Sequence, residues 1–180
     1  MKMNSPMFAV LERGAVDPGR NLSPELDEVA RAGWVLGPCG AILLKSLWGP
    51  GWRTSIDASE VGSYEYEVND VYVSLSDLAA NKGTYLNRAA VRGISFAARM
   101  LRDATALPEA DSLLAVVSIS VDEGDEDFLL QGATVRFFSR RGEYPTWFED
   151  LERYQKEAVA IVDMADLAVP DPLTQFRRRA

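Results

Sequence analysis

The sequence predicts an α+β domain, with a mainly antiparallel sheet and two or three helices packed on one face. Three observations lead to this class. Residues 84–102 carry apolar side chains at helical spacing, and residues from Thr146 onward do the same. Residues 113–121 and 128–139 are apolar segments separated by a short acidic turn, as in an antiparallel hairpin. Few connections are long enough for the helical crossovers that a parallel sheet needs.

The first part of the chain predicts a strand, a helix and one undecided segment. The apolar run at 7–11 predicts a strand. Ser23 is a suitable N-cap and Pro24 suits the first helical position, so a helix is expected to begin there and to end near Gly33. Residues 41–47 fit either a buried strand or a short buried helix, and periodicity does not distinguish the two.

The middle and the end of the chain predict a β-rich region and two helices. Tyrosines and valines alternate over 64–75, with a change of phase that indicates a turn or a bulge. Within the helix at 84–102, Gly93 is a weak point. Thr146 and Glu149 match a capping box and predict a last helix. Its expected buried stripe is Phe148, Leu151, Tyr154, Ala158, Ile161 and Val162. We expect one domain over 1–168 and a flexible tail over 169–180.

The chain contains no histidine and a single cysteine, Cys39. Histidine is the usual proton shuttle near neutral pH and the commonest metal ligand, so this chain alone cannot build triads or metal sites that depend on it. Cys39 is expected to be a small buried residue. Glu65 and Glu67 would share one face of a strand, where burial could support acid–base chemistry, although a solvent-facing edge is the simpler interpretation. We expect no catalytic residues, no cofactor and no metal.

Acidic and basic residues are segregated along the sequence, and the net charge is -8. Residues 54–81 hold six acidic side chains and no basic one, 82–102 hold five basic and no acidic one, and 103–135 hold eight acidic and no basic one. So acidic a chain is expected to repel nucleic acid and to attract a basic protein. Its single cysteine and the lack of a long apolar run predict a cytoplasmic protein without a membrane span.

The basic block forms a stripe if 84–102 is helical. Arginines at spacings of four, seven and three fall opposite the apolar face: Arg88, Arg92, Arg99 and Arg102. A solvated helix face explains this pattern, and so does a site for an anionic ligand, because guanidinium groups suit phosphate and carboxylate.

Two further sets of residues are candidates for binding a partner. The turn at 122–127 carries five carboxylates and is either a solvated hairpin tip or an acidic prong: Asp122, Glu123, Asp125, Glu126 and Asp127. It fits a calcium loop poorly. Four aromatic residues could act as anchors, since indoles and phenols are enriched in binding hot spots: Trp48, Trp52, Tyr64 and Tyr66.

These observations predict a non-enzymatic binding protein that neutralises a basic partner protein by surface complementarity. In general character, being small, acidic and without a catalytic constellation, the chain is similar to bacterial immunity proteins; this resemblance is one of type and not of motif. The alternative is an enzyme or sensor that binds an anionic ligand on the arginine stripe. A homo-oligomer in which the charged blocks pair between chains is also compatible with the sequence.

Overall fold

The computed structural model describes residues 1–12, 22–73, 82–122 and 133–168. The expected tail at 169–180 and the tip of the expected hairpin lie outside these residues. The strands are β1 (Lys2–Met3), β2 (Trp34–Leu36), β3 (Ile42–Leu44), β4 (Asp70–Val73), β5 (Leu113–Ser120), β6 (Ala133–Ser139) and β7 (Glu157–Asp163). The helices are α1 (Ser5–Glu12), α2 (Pro24–Ala32), α3 (Val61–Val68) and α4 (Lys82–Ala104).

The architecture confirms the α+β prediction. Within the described ranges, five strands form one sheet in the order β1-β7-β5-β6-β4, and its neighbouring strands pair antiparallel. The remaining two strands, β2 and β3, form a small antiparallel hairpin of their own. The undecided segment at 41–47 therefore contains a strand, Ile42–Leu44.

Helices α1 and α4 pack on one face of the large sheet, which we call the inner face, and α2 packs against α4 on the same side. Alternate residues of each strand point to it, among them Val71, Val117, Val135 and Ala160, and all are buried in the main core with the three helices. α4 has 23 residues and thus runs for about 35 Å across this face. At Gly93 an added Cβ would lie 2.7 Å from Val117 Cγ1, so the glycine lets the helix approach the sheet closely.

Local signals in the sequence correctly located α2, α4 and the hairpin strands. The Ser23 hydroxyl accepts a hydrogen bond from the Leu26 amide, Pro24 is the first residue of α2, and Gly33 ends the helix at a φ of 70°. α4 covers the predicted 84–102, and β5 pairs with β6 as expected. None of the helices in the described part of the chain combines the length and the apolar character that a membrane span requires.

The predicted strand at 7–11 is wrong, because this segment belongs to α1. Asn4 caps the helix: its side-chain oxygen accepts a hydrogen bond from the Met7 amide at 3.0 Å. At the other end, the Asn87 side chain of α4 donates to the carbonyl oxygens of Val10 and Leu11. Side chains thus satisfy backbone groups at both ends of α1, and one of these side chains, Asn87, is distant in the sequence.

The predicted β-rich region at 64–75 is also wrong in its first half. Residues Val61–Val68 form α3 and Asp70–Val73 form a strand, while 74 and 75 lie outside the described residues. A reciprocal capping box between Asp57 and Glu60 precedes the helix, with the Glu60 carboxylate accepting from the Asp57 amide at 3.0 Å. Glu65 is consequently buried while Glu67, two positions on, is exposed, so the two do not share a strand face.

The predicted last helix does not form. Thr146 makes no side-chain cap bond, and the chain instead makes two short 3₁₀ turns, Trp147–Glu149 and Leu151–Arg153, followed by β7. β7 is buried between β1 and β5. Its continuous apolar run over 158–162 is typical of a central strand, and this tertiary environment overrides the helical spacing.

A buried carboxylate, Glu65, joins α3 to both sheets. Its side chain is 0% exposed, and one oxygen accepts from the Ile42 amide at 2.7 Å and from Arg141 Nη2 at 2.8 Å. The other oxygen accepts from the Ser139 amide at 2.6 Å and from the Ser139 hydroxyl. The buried charge thus has both an ionic partner and several hydrogen bonds, which compensate for its loss of hydration.

Asn69, one helical turn after Glu65, makes a second connection between the same elements. Its amide nitrogen donates to the carbonyl oxygens of Ile42 and Phe137, and its oxygen accepts from the Leu44 amide at 2.8 Å. Close packing supports this arrangement at Gly62, where an added Cβ would lie 2.7 Å from the carbonyl oxygen of Ser139. The position of α3 is therefore fixed by polar contacts as well as by packing.

Replacing Glu65 with alanine is expected to lower the free energy of unfolding by about 3–5 kcal/mol, because Arg141 and two buried amides lose their acceptor. Glu67→Ala is the matched control, with an expected change within about 0.5 kcal/mol because this side chain is exposed. Urea unfolding followed by circular dichroism measures both values. Equal effects of the two substitutions would contradict the role assigned to Glu65.

Candidate functional site

The face of the large sheet opposite the inner face, here called the outer face, carries an open cleft of about 250 Å³. The chain after β6 covers only part of this face: Phe148 and Leu151 pack on Leu114, Val116 and Ile161. The cleft lies where that cover ends. It is lined by Tyr66, Val116, Ser118, Thr134, Arg136, Trp147, Tyr154 and Glu157.

Strand register positions the floor of the cleft. Arg136 of β6 is paired with Val116 of β5, and Thr134 with Ser118, so that these four side chains form two adjacent rows. Asp70 and Tyr72 of β4 continue the rows on the other side of β6. Tyr72 is 55% exposed, which shows that this end of the outer face is open.

Three aromatic residues from different parts of the chain form the wall. The rings of Tyr66 and Trp147 have centroids 6.4 Å apart, and those of Trp147 and Tyr154 are 5.3 Å apart, in both cases edge to face. Tyr66 also packs edge to face on Phe138 at 5.5 Å. Such contacts favour a fixed arrangement of the rings. The wall is therefore preformed and is anchored on the apolar cluster beneath the covering segment.

Arg136 is held at one side of the cleft. Its Nη2 donates to Asp70 Oδ2 at 2.8 Å, its Nη1 donates to the Tyr66 hydroxyl at 2.9 Å, and its guanidinium carbon lies 5.1 Å from the centroid of the Tyr66 ring. Burial alone would lower the pKa of Arg136, but the hydrogen bonds and charges of Asp70 and Tyr66 outweigh it and raise the pKa. The positive charge of Arg136 is thus matched by a protein carboxylate.

Glu157 lies across the sheet from Arg136, at the start of β7. Its Oε2 accepts a hydrogen bond from the Ser118 hydroxyl at 2.6 Å. A hydroxyl is a neutral donor, so this contact orients the carboxylate without neutralising its charge. The next residue back, Lys156, instead pairs with Asp122 at 2.9 Å.

The four aromatic residues predicted as anchors do not form one surface. Tyr66 lines the cleft, whereas Tyr64 is only 1% exposed and donates to the Arg53 carbonyl oxygen at 2.6 Å. The Trp48 indole donates to the Tyr64 hydroxyl at 3.1 Å, and Trp52, which is 37% exposed, packs on the same ring at 6.2 Å. The three residues other than Tyr66 thus build a local cluster around Tyr64, in which Trp52 has the most exposed side chain.

The acidic turn predicted at 122–127 lies mainly outside the described residues. Of its five acidic residues only Asp122 is described, and it forms the ion pair with Lys156. The proposed roles of Glu123, Asp125, Glu126 and Asp127 stay predictions. In the sequence, residues 122–127 nevertheless belong to the segment between β5 and β6, the two strands that form the floor of the cleft.

The arginine stripe on α4 is not a uniformly solvated face. Arg88 and Arg102 are exposed, but Arg92 is only 5% exposed. Arg99 donates to Asp27 of α2 at 3.0 Å, and Asp27 also pairs with Arg31. At least one arginine is therefore compensated by an acidic residue of the protein itself. Whether an anion binds the stripe stays a prediction.

Cys39 is exposed, contrary to the expectation that it is buried. Its backbone has a φ of 51°, and its thiol donates to the Ile56 carbonyl oxygen at 3.1 Å. Within the described ranges, no three cysteine, aspartate or glutamate side chains converge into a group that could hold a metal ion.

Sequence reasoning found Tyr66 but missed the rest of the cleft. Trp147 lies between the two residues of the predicted capping box, Thr146 and Glu149, and Tyr154 belongs to the predicted buried stripe of the same helix, which does not form. Arg136 and Glu157 carry no local signal, because only the pairing of β5 with both β6 and β7 brings them to one face. The alternation of polar residues in β5, at Ser118 and Ser120, was the one feature that could have indicated a partly open sheet face.

Comparison with known proteins yields no relative: no protein family, curated protein or solved structure matches this chain.

Replacing Arg99 with glutamine is expected to raise the pKa of Asp27 toward its ordinary value. The hydrogen bond from Arg99 is the largest cause that lowers this pKa; burial opposes it, and the charges of Arg31 and Arg99 add to it. Since the folded-state pKa is lowered, the stabilisation is fully present above the unfolded value of about 3.9 and is lost as the pH falls through the folded value.

Carboxyl carbon chemical shifts followed through an NMR titration measure the pKa of Asp27. Arg88→Gln, which changes an exposed arginine of the same helix, is the control and is expected to leave that pKa unchanged. An unchanged pKa in Arg99→Gln would contradict the role assigned to the ion pair.

Proposed function

We propose that this chain is a cytoplasmic, non-enzymatic binding protein of the inhibitor type, which neutralises a basic partner protein by surface complementarity. The observation that carries the proposal is the cleft on the outer face. Three aromatic rings stand beside the Glu157 carboxylate at the open part of a sheet, on a chain with a net charge of -8.

The electrostatics of this surface favour a cationic partner. The long-range field of a chain with this charge accelerates encounters with a basic protein, and complementary charges then fix the register of the complex. Exposed acidic residues lie within four positions of Tyr66, Trp147 or Tyr154 in the sequence: Glu67, Asp70, Glu149, Asp150 and Glu152. Residues 122–127, which follow β5 in the sequence, carry five further carboxylates.

The aromatic wall supplies the part of the affinity that does not depend on salt. Tyrosine and tryptophan are enriched in binding hot spots because they bury a large area and lose little side-chain entropy. Trp147 and Tyr154 meet both conditions, since each is half-buried and packed against another ring. An inhibitor that blocks its partner by direct contact is expected to attract it with acidic residues and to bind it through a central aromatic anchor.

The expected partner is a basic protein that forms a one-to-one complex and loses its own activity in it. Cross-linking and affinity purification from cells that carry the native gene isolate the complex, and stopped-flow fluorescence measures its association rate constant. We expect this constant to fall by about tenfold or more as the salt concentration rises from roughly 50 mM to roughly 500 mM.

Failure to find a stoichiometric basic partner would contradict the proposal. So would an association rate constant that does not respond to salt, or a complex in which the partner stays fully active. The dissociation rate constant of the same complex serves as the control. It is expected to change much less with salt than the association rate constant, because it depends mainly on contacts in the aromatic wall.

A further inference from the structure

We propose that the cleft on the outer face binds a single arginine side chain of the basic partner, with the guanidinium group on the Trp147 ring and against the Glu157 carboxylate. This inference rests on the proposed function and specifies its central contact. Three features of the cleft support it: its size, the pairing of the charges along its lining and the contacts that its three rings already make.

The size of the cleft suits one long side chain. A volume of about 250 Å³ corresponds to about eight water molecules. This is below the range of roughly 300–1,000 Å³ that is typical of pockets for small-molecule ligands and cofactors. The cleft is also open to solvent on the side of Tyr72, so a side chain can enter from a surface docked on the sheet.

The charged residues that line the cleft favour a cationic occupant over an anionic one. Arg136 is already paired with Asp70 at 2.8 Å and bonded to the Tyr66 hydroxyl. Among the residues that the structure describes, Glu157 is bonded to the neutral Ser118 hydroxyl and has no cationic partner. A guanidinium group placed beside Glu157 would complete the pairing, whereas an anionic group would have to compete with Asp70 for Arg136.

The contacts that the three rings already make indicate where in the cleft the guanidinium group would bind. Arg136 already lies over the Tyr66 ring at 5.1 Å, and Arg153 over the Tyr154 ring at 5.5 Å. Across the described part of the chain, no such cation covers the ring of Trp147, which stands between the other two. Tryptophan provides the strongest cation–π contact of the aromatic residues. A guanidinium group on Trp147 would extend a pattern that the aromatic wall already shows at Tyr66 and at Tyr154.

The geometry of the donors favours arginine over lysine. A guanidinium group is planar, so it can stack on an indole while its edge donates to a carboxylate. The hydroxyl groups of Ser118 and Thr134, next to each other on the floor, offer further acceptors for the remaining N–H groups. An ammonium group would use these acceptors less completely and would lose the stacking contact.

The test is an NMR titration of the full chain with Nα-acetyl-L-arginine methylamide, followed through the indole N–H signals. The chain has four tryptophans, and three serve as internal references because their indoles donate within the protein: Trp34 to Met100, Trp48 to Tyr64 and Trp52 to Leu47. We expect a saturable shift of the Trp147 signal and no comparable shift of the other three. The same titration with the lysine analogue is expected to show weaker binding.

Glu157→Gln is expected to weaken the binding of the arginine probe by about tenfold, since a hydrogen bond to a charged acceptor becomes one to a neutral acceptor. Glu143→Gln removes the charge of an exposed residue outside the cleft lining and is expected to leave the binding unchanged. Because Glu157 is exposed, its substitution is expected to preserve the fold, which the dispersion of the amide spectrum verifies.

Equal shifts of all four indole signals would overturn the inference, and so would unchanged binding in Glu157→Gln. A stronger response of Trp147 to Nα-acetyl-L-glutamate methylamide would do the same and would indicate an anionic occupant. The two proposals fail separately. If a basic partner binds with the same dissociation constant to the wild type and to Glu157→Gln, this inference is wrong while the proposed function stands. If no basic partner exists, the proposed function is wrong whatever the titration shows.

Discussion

The burial of one carboxylate, Glu65, determines how the parts of this protein fit together. A charge at this depth is tolerated only because Arg141, Ser139 and the Ile42 amide surround it with donors. Those donors come from the small hairpin, the end of β6 and the chain just after it, so a single group joins three segments. The next residue along α3 is Tyr66, whose ring forms one end of the aromatic wall. The position of α3 therefore determines both the internal ion pair and one end of the surface cleft.

The two faces of the large sheet have different roles. The inner face is covered by α1 and α4, with α2 packed against α4, and together these elements form the main apolar core. The outer face is covered only in part, and the smaller cluster around Phe138 and Phe148 ends at the cleft. A sheet that is closed on one side and half open on the other keeps a rigid floor beneath its exposed groups. Side chains such as Ser118 and Arg136 are therefore held in register by the strand pairing, which favours recognition by a preformed surface.

The sequence predicted those elements whose signals are local. Ser23, Pro24 and Gly33 define α2 by themselves, and the apolar stripe of α4 is long enough to be unambiguous. Prediction failed where the deciding contacts are distant. Asn4 caps α1 but also donates to carbonyl oxygens at 154 and 157, and the run at 158–162 becomes a strand only between β1 and β5. For the same reason the cleft could not be predicted, because its lining combines α3, three strands and a 3₁₀ turn.

The position of β1 sets an order of events for the synthesis of this chain. Lys2 pairs with Ile161 and Met3 with Ala160, although these residues are separated by almost the whole sequence. β1 is therefore synthesised early but has no strand to pair with until residue 161 has left the ribosome, and until then the edge of β5 that β7 covers is unpaired as well. Contacts of such high sequence separation slow folding, and an uncovered strand edge is prone to pair with other chains. The interval between the emergence of β6 and the docking of β7 and β1 is thus a stage at which nascent chains are exposed to mispairing.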